Sequence, residues 1–144
     1  MVLRDFMEIQ TPMVMEEIRH AIAVQKALIQ TPGFEPEQFY RMDAQMHSLW
    51  FTAVKRQKLW DMLQAQQLHY TRFRMLDFIT ETDFPRIIGE HEQLFELICK
   101  KDLSGLEQVL KDHLYYSMKR MRHSIEVDYK DYFEEEPEEN RFVI

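Results

Sequence analysis

Apolar residues recur every three or four positions along most of this chain, which is the spacing of an amphipathic helix. The first long stretch runs from Pro12 to about Gln30, and a Thr followed by Pro, as at Thr11 and Pro12, is typical of a helix start. Pro and Gly in the segment 31–34 predict its end. The pattern resumes in further stretches, at about 36–54, 59–80, 85–100 and 103–125, and residues 2–10 allow a shorter sixth helix.

Strand signals are weak, because no alternating run of apolar and polar residues is bounded by turn residues. Short connections between successive helices favour antiparallel neighbours. The sequence therefore predicts an all-α, antiparallel helical bundle of five or six helices, formed by residues 1–126. Residues 127–144 are rich in Glu and predict an acidic, mobile tail; the alternative is that the tail covers a groove through its aromatic residues. The basic stretch 55–58 predicts a corner between two helices.

Charge and cysteine content narrow the class of protein. The net charge of −7 is unfavourable for DNA binding, which depends on Lys and Arg contacts to phosphates. The only cysteine, Cys99, lies in an apolar run and is expected to be buried, so no disulfide framework exists. Arg4, Asp5 and Glu8 interrupt the N-terminus, and no apolar run approaches a membrane span. We expect a cytoplasmic protein without a signal peptide.

Three of the six histidines fall on apolar helix faces: His47, His91 and His113. Because they lie on three different predicted helices, all three imidazoles are expected to point into the bundle. A core histidine with ordinary hydrogen-bond partners is the simpler explanation for any one of them. Three together favour a shared metal ion, since each buried imidazole needs partners for both nitrogens.

Asp43 lies four residues before His47, so the two side chains share one helix face and can reach one ion. An Asp–His hydrogen bond would explain this spacing equally well. Combined with His91 and His113, the pair gives three nitrogens and one oxygen, a set that suits Zn, Ni or Mn and also Co or Fe(II), but not Ca or Mg. Open positions on such an ion could take a small carboxylate.

The predicted helix at about 59–80 carries further candidates for a ligand pocket. Gln66 and His69 interrupt its apolar stripe, and Arg72 follows one turn later. An Arg can grip a carboxylate through two parallel hydrogen bonds. A solvated helix face is the alternative for Arg72, and His20 and His123 are expected at the surface.

Four segments have a specific order and spacing: Asp43–His47, Glu90–Ile98, Asp102 and Asp112–Leu114. Together they resemble the FCD domain, the C-terminal effector-binding domain of the FadR subgroup of GntR-family transcription regulators, over roughly residues 12–125. In this family a small-Gly-Asn segment usually follows the Asp/His helix, and here Lys55-Arg56-Gln57 takes its place.

The resemblance implies a homodimer whose helical bundle binds a divalent metal and, beside it, a small organic acid. It assigns the metal ligands to the four residues already singled out, Asp43, His47, His91 and His113. Arg4, in the segment Arg4–Glu8, matches a family arginine that faces the effector. Family members read DNA through a winged helix-turn-helix, which is not among these 144 residues, so we expect DNA contact only through such a domain outside this chain.

The leading hypothesis is thus a sensor domain, not an enzyme. A mononuclear metal enzyme in a helical bundle is one alternative, because an open metal position is also a catalytic position. A di-iron protein needs two Glu-x-x-His motifs, and the chain has one such spacing, Glu17–His20. The remaining alternative is a dimerisation module without sensing.

Overall fold

The computed structural model describes residues 2–65, 83–123 and 127, and of residues 117, 118, 120, 121 and 123 it describes the backbone alone. Within this part of the chain all regular structure is helical, which confirms the prediction of an all-α helical bundle. The six helices of the described residues are α1 (Val2–Ile9), α2 (Pro12–Leu28), α3 (Pro36–Ala53), α4 (Gln57–Ala65), α5 (Phe84–Lys100) and α6 (Leu103–His123).

The helices begin where the sequence supplies a side chain to cap them. At three helix starts a Thr or Asp oxygen accepts a hydrogen bond from a backbone N–H of the first turn, which would otherwise lack a partner. These bonds are Val14 N to Thr11 Oγ1 (3.4 Å), Arg86 N to Asp83 Oδ1 (3.3 Å) and Gly105 N to Asp102 Oδ1 (3.0 Å). Asp102 therefore caps the start of α6.

Two helices end on a lysine in the left-handed region, a conformation that glycine usually supplies. Lys55 has φ 58° after α3, and Lys101 has φ 54° after α5. Beyond each, a backbone N–H bonds back across the turn, Arg56 N to Phe51 O (2.8 Å) and Asp102 N to Leu97 O (3.0 Å). The corner after α3 is tighter than the predicted 55–58, because α4 already begins at Gln57.

The bundle is organised around α3 and α5. Helix α2 packs against both of them, α1 also contacts both, and α6 packs along α5. Their shared interior is apolar, with Phe6, Ile18, Phe39, Met46, Leu94, Ile98 and Leu106 fully buried. Polar residues that reach this interior are few among the described residues: Gln25, Asp43 and His91.

One expectation from the sequence is wrong, and others concern residues that the structure does not describe. The prediction that Cys99 is buried is wrong: Cys99 is exposed, because it follows the buried Ile98 by one position and the helix turns it about 100° away from the core. The second half of the predicted helix 59–80 and the acidic tail, apart from Val127, lie outside the described residues. In the part of the chain that is described, no helix is long and apolar enough to cross a membrane.

Two helical glycines should respond oppositely to alanine. At Gly89 a Cβ would meet no atom within 4 Å, so Gly89→Ala should stabilise the fold by about 0.5–1 kcal/mol. At Gly105 a Cβ would lie 2.7 Å from Asp102 Oδ2 and 2.8 Å from Leu97 Cδ2. Gly105→Ala should therefore displace the capping carboxylate and destabilise the fold by about 1 kcal/mol. Urea unfolding of the two variants measures this, and equal stabilisation of both would contradict the cap geometry.

Candidate metal centre

Three histidines from three helices meet inside the bundle. His47 on α3, His91 on α5 and His113 on α6 each offer one ring nitrogen, and these nitrogens all lie within 4.8 Å of one another. The ring centroids form a nearly even triangle, with separations of 5.2 Å, 5.2 Å and 5.9 Å. The helical spacing predicted that the three imidazoles face inward, and the fold brings them to one place.

Asp43 lies against two of these rings. Its Oδ1 is 3.5 Å from Nε2 of His47 and 3.4 Å from Nε2 of His91. Both separations are longer than a usual N–H···O hydrogen bond, and both Nε2 atoms approach the same carboxylate oxygen. Small side-chain rotations would bring this oxygen and the two Nε2 atoms within bonding distance of one common ion.

The cluster has a buried floor, formed by Asp43 and His91, and a partly exposed rim, formed by His47 and His113. Asp43 and His91 are 1 % and 0 % exposed, whereas His47 and His113 are 18 % and 13 % exposed. A charged carboxylate at the floor is costly to bury without compensation, since water solvates it far better than an apolar core. A cation between Asp43 and the imidazoles would add to that compensation, and the partly exposed rim would give a small ion or molecule a way in.

Gln25 of α2 completes the surroundings of His91, a role that the sequence analysis missed. Its Oε1 lies 3.0 Å from Nδ1 of His91, and its Nε2 approaches the sulfur of Met46 at 4.0 Å. With the amide nitrogen toward sulfur, Oε1 is the acceptor for the Nδ1–H of His91. His91 then carries its proton on Nδ1, and the lone pair on Nε2 faces Asp43 and the other histidines.

Glu90, a charged residue, contacts Nδ1 of His113 as Gln25 contacts Nδ1 of His91. Glu90 Oε2 lies 2.5 Å from Nδ1 of His113, and Oε1 forms an ion pair with Arg86. Burial alone raises the pKa of Glu90, but the contacts with His113 and Arg86 outweigh it and lower that pKa below its ordinary value. The Glu90 carboxylate therefore stays charged at neutral pH.

This donor set fits a borderline divalent cation. Imidazole nitrogens with one carboxylate oxygen suit Zn, Ni or Mn, whereas Ca and Mg favour sites made of oxygens alone. The nitrogens of His91 and His113 that face away from the cluster are occupied by Gln25 and Glu90, as is usual for histidines that bind metals. The residues present are thus chemically suited to hold such an ion.

Of the residues predicted to contact an effector, Arg4 is the one that the structure describes. Arg4, on α1, is half-exposed and forms an ion pair with Glu107 of α6 at 2.8 Å. His20 is exposed, as predicted. Gln66, His69 and Arg72, predicted to line an effector pocket, all fall within 66–82 and so outside the part of the chain that the structure describes.

Comparison with protein families gives a match over most of the chain. The family model described as the FCD domain matches residues 1–116, which include all of α1 to α5 and the cluster of histidines. FCD domains are regulatory domains that bind effectors, and they are not enzymes. No curated protein and no solved structure matches the sequence.

The contact between Gln25 and His91 can be tested without metal. Gln25→Leu replaces the amide with an apolar side chain of similar size and leaves the buried Nδ1–H of His91 without its acceptor. We expect a loss of about 1–3 kcal/mol in the free energy of unfolding, measured with urea in the presence of a chelator. Gln108→Leu is the control, because Gln108 is exposed and binds only Asp112 on the same helix. It should change stability by less than about 0.5 kcal/mol, and equal effects of the two substitutions would contradict the assignment.

Proposed function

Because this chain belongs to the FCD domain family, we propose that it is the effector-sensing domain of a GntR-family transcription regulator of the FadR subgroup. We further propose that a divalent metal ion lies at its centre. The observation that carries the proposal is the convergence of three imidazoles from three helices beside a buried carboxylate.

The proposed ligands of the ion are Asp43, His47, His91 and His113. All three histidines come from helices that pack around the same interior, so one ion would tie α3, α5 and α6 together. When bound, the ion supplies a Lewis acid that can hold an anionic ligand at the partly exposed rim. Zn, Ni or Mn is the proposed metal, on the strength of the donor set.

The proposed effector is a small organic acid bound beside the ion. A carboxylate satisfies both an open metal position and a nearby arginine. We propose Arg4, Gln66, His69 and Arg72 as residues that contact it. Arg4 already binds a carboxylate, that of Glu107, so an acid effector would compete with an existing ion pair of the same chemistry.

The proposed mechanism is a change in the geometry of a homodimer in the cytoplasm. An effector can shift such an equilibrium only through different affinities for the two arrangements. An ion shared by three helices is well suited to that task, because a ligand on the ion acts on all three at once. DNA would be contacted through a winged helix-turn-helix domain outside this chain, since the net charge of −7 does not favour binding to phosphates.

Elemental analysis of the purified protein tests the metal. We expect about one Zn, Ni or Mn per chain, and none in the variant that combines Asp43→Ala, His91→Ala and His113→Ala. The ion should also raise the free energy of unfolding, by about 2.7 kcal/mol at a concentration one hundred times its dissociation constant. His20→Ala is the control, because His20 is exposed, and it should retain the ion. A wild-type protein without metal after supplementation would refute the proposed centre and favour a dimerisation module.

A thermal screen of small organic acids tests the effector. With metal bound, the right acid should raise the melting temperature further, whereas the corresponding amide should have no effect because it lacks the charge that binds the ion. Arg4→Met and Arg72→Met should each reduce the increment from the acid and leave that from the metal unchanged. An acid effect of equal size in the metal-free protein would contradict binding at the ion.

A further inference from the structure

Glu90 lies between a histidine of the proposed metal centre and an arginine. One carboxylate oxygen is 2.5 Å from Nδ1 of His113, and the other is paired with Arg86, one turn earlier on α5. The side chains of Glu90 and Arg86 are 20 % and 24 % exposed, so their contact is largely shielded from water. Shielding strengthens such contacts, because the surrounding dielectric is lower than that of water.

Arg86 is itself held from the neighbouring helix. Its guanidinium carbon lies 3.4 Å from the centre of the Tyr116 ring, a close cation–π contact. Tyr116 lies three residues after His113 on α6. The chain of contacts from Tyr116 through Arg86 and Glu90 to His113 therefore begins and ends on that helix. The carboxylate between them is fixed in place relative to the imidazole.

Arg86 has only donors, so Glu90 faces it as a carboxylate acceptor, and in the contact of the other carboxylate oxygen with His113 the ring Nδ1–H is the donor. In the neutral imidazole Nε2 then carries the lone pair. We propose that Glu90, oriented by Arg86, is a positioning residue that presents Nε2 of His113 to the metal ion. This inference rests on the proposed metal centre and adds to it a residue that fixes the tautomer and strengthens one ligand.

The charge on Glu90 distinguishes it from Gln25, which plays the corresponding part for His91. A carboxylate behind an imidazole makes the ring a better electron donor than an amide does. Arg86 offsets that charge, so Glu90 strengthens His113 without neutralising the ion's attraction for an anionic effector. His113 lies at the rim, where such an effector would enter.

The test compares three variants by Zn²⁺ affinity, measured in competition with a chromophoric chelator. Glu90→Gln preserves size and should weaken Zn²⁺ binding by about 10–100-fold, and Glu90→Ala should weaken it at least as much. Glu96→Gln is the matched control: Glu96 lies on the same helix and pairs with Lys100 four residues later, but it faces solvent. Its affinity should stay within about twofold of the wild type, because exposed ion pairs contribute little.

A second readout follows the proton on the ring. Imidazole ¹⁵N shifts of the metal-free protein should report Nδ1–H for His113 in the wild type. Glu90→Ala should give a mixture of tautomers, and Glu90→Gln should retain Nδ1–H, because its amide oxygen can still accept. A purely structural role for Glu90 would leave the tautomer unchanged.

The outcomes separate the two proposals. A wild-type protein that binds no Zn²⁺ overturns the metal centre and the role of Glu90 with it. Wild-type Zn²⁺ binding with unchanged affinity in Glu90→Gln overturns the role of Glu90 alone, and an equal loss in Glu96→Gln does the same. Because Glu90→Gln preserves the size of the side chain, the affinity comparison does not depend on the folding of Glu90→Ala.

Discussion

The fold depends on how polar groups are accommodated at the centre of an apolar bundle. Apolar contacts are not directional, so many arrangements of six amphipathic helices would bury similar areas. Hydrogen bonds and ion contacts are directional, and a buried polar group that loses its partner destabilises the fold. Nδ1 of His91 on α5 bonds to Gln25 of α2, so this buried contact fixes the register of α5 against α2, while Nε2 of the same ring lies beside Asp43 of α3.

The parts of this structure that the sequence predicts are those encoded by nearby residues. Helix starts follow from a cap within three positions, as at Thr11 and Asp102, and the inward direction of His47 follows from its helical spacing. Cys99 shows where such reasoning fails, because an apolar run does not reveal which of its neighbouring positions faces the core, and one step around a helix separates buried from exposed.

Contacts between helices distant in sequence could not be predicted in this way. Gln25 lies 66 residues from His91 and stands beside Lys26, so in the sequence it looks like part of a polar helix face. Glu90 is visible beside His91, but its partner is His113, on the next helix. Family resemblance predicts a ligand set, whereas the residues behind the proposed ligands become apparent only when the helices are assembled.

Burial also explains why the two histidines have different partners. At the floor, where His91 is fully buried, a second carboxylate next to Asp43 would add like charge to the most weakly solvated point of the bundle, so a neutral amide is the less costly acceptor. At the rim, partial exposure and Arg86 compensate a charge, and Glu90 can remain ionised against His113. The charged acceptor therefore stands where the proposed ion would meet its effector. A change in charge at the rim should therefore affect the proposed ion mainly through His113, and less through the buried ligands Asp43 and His91.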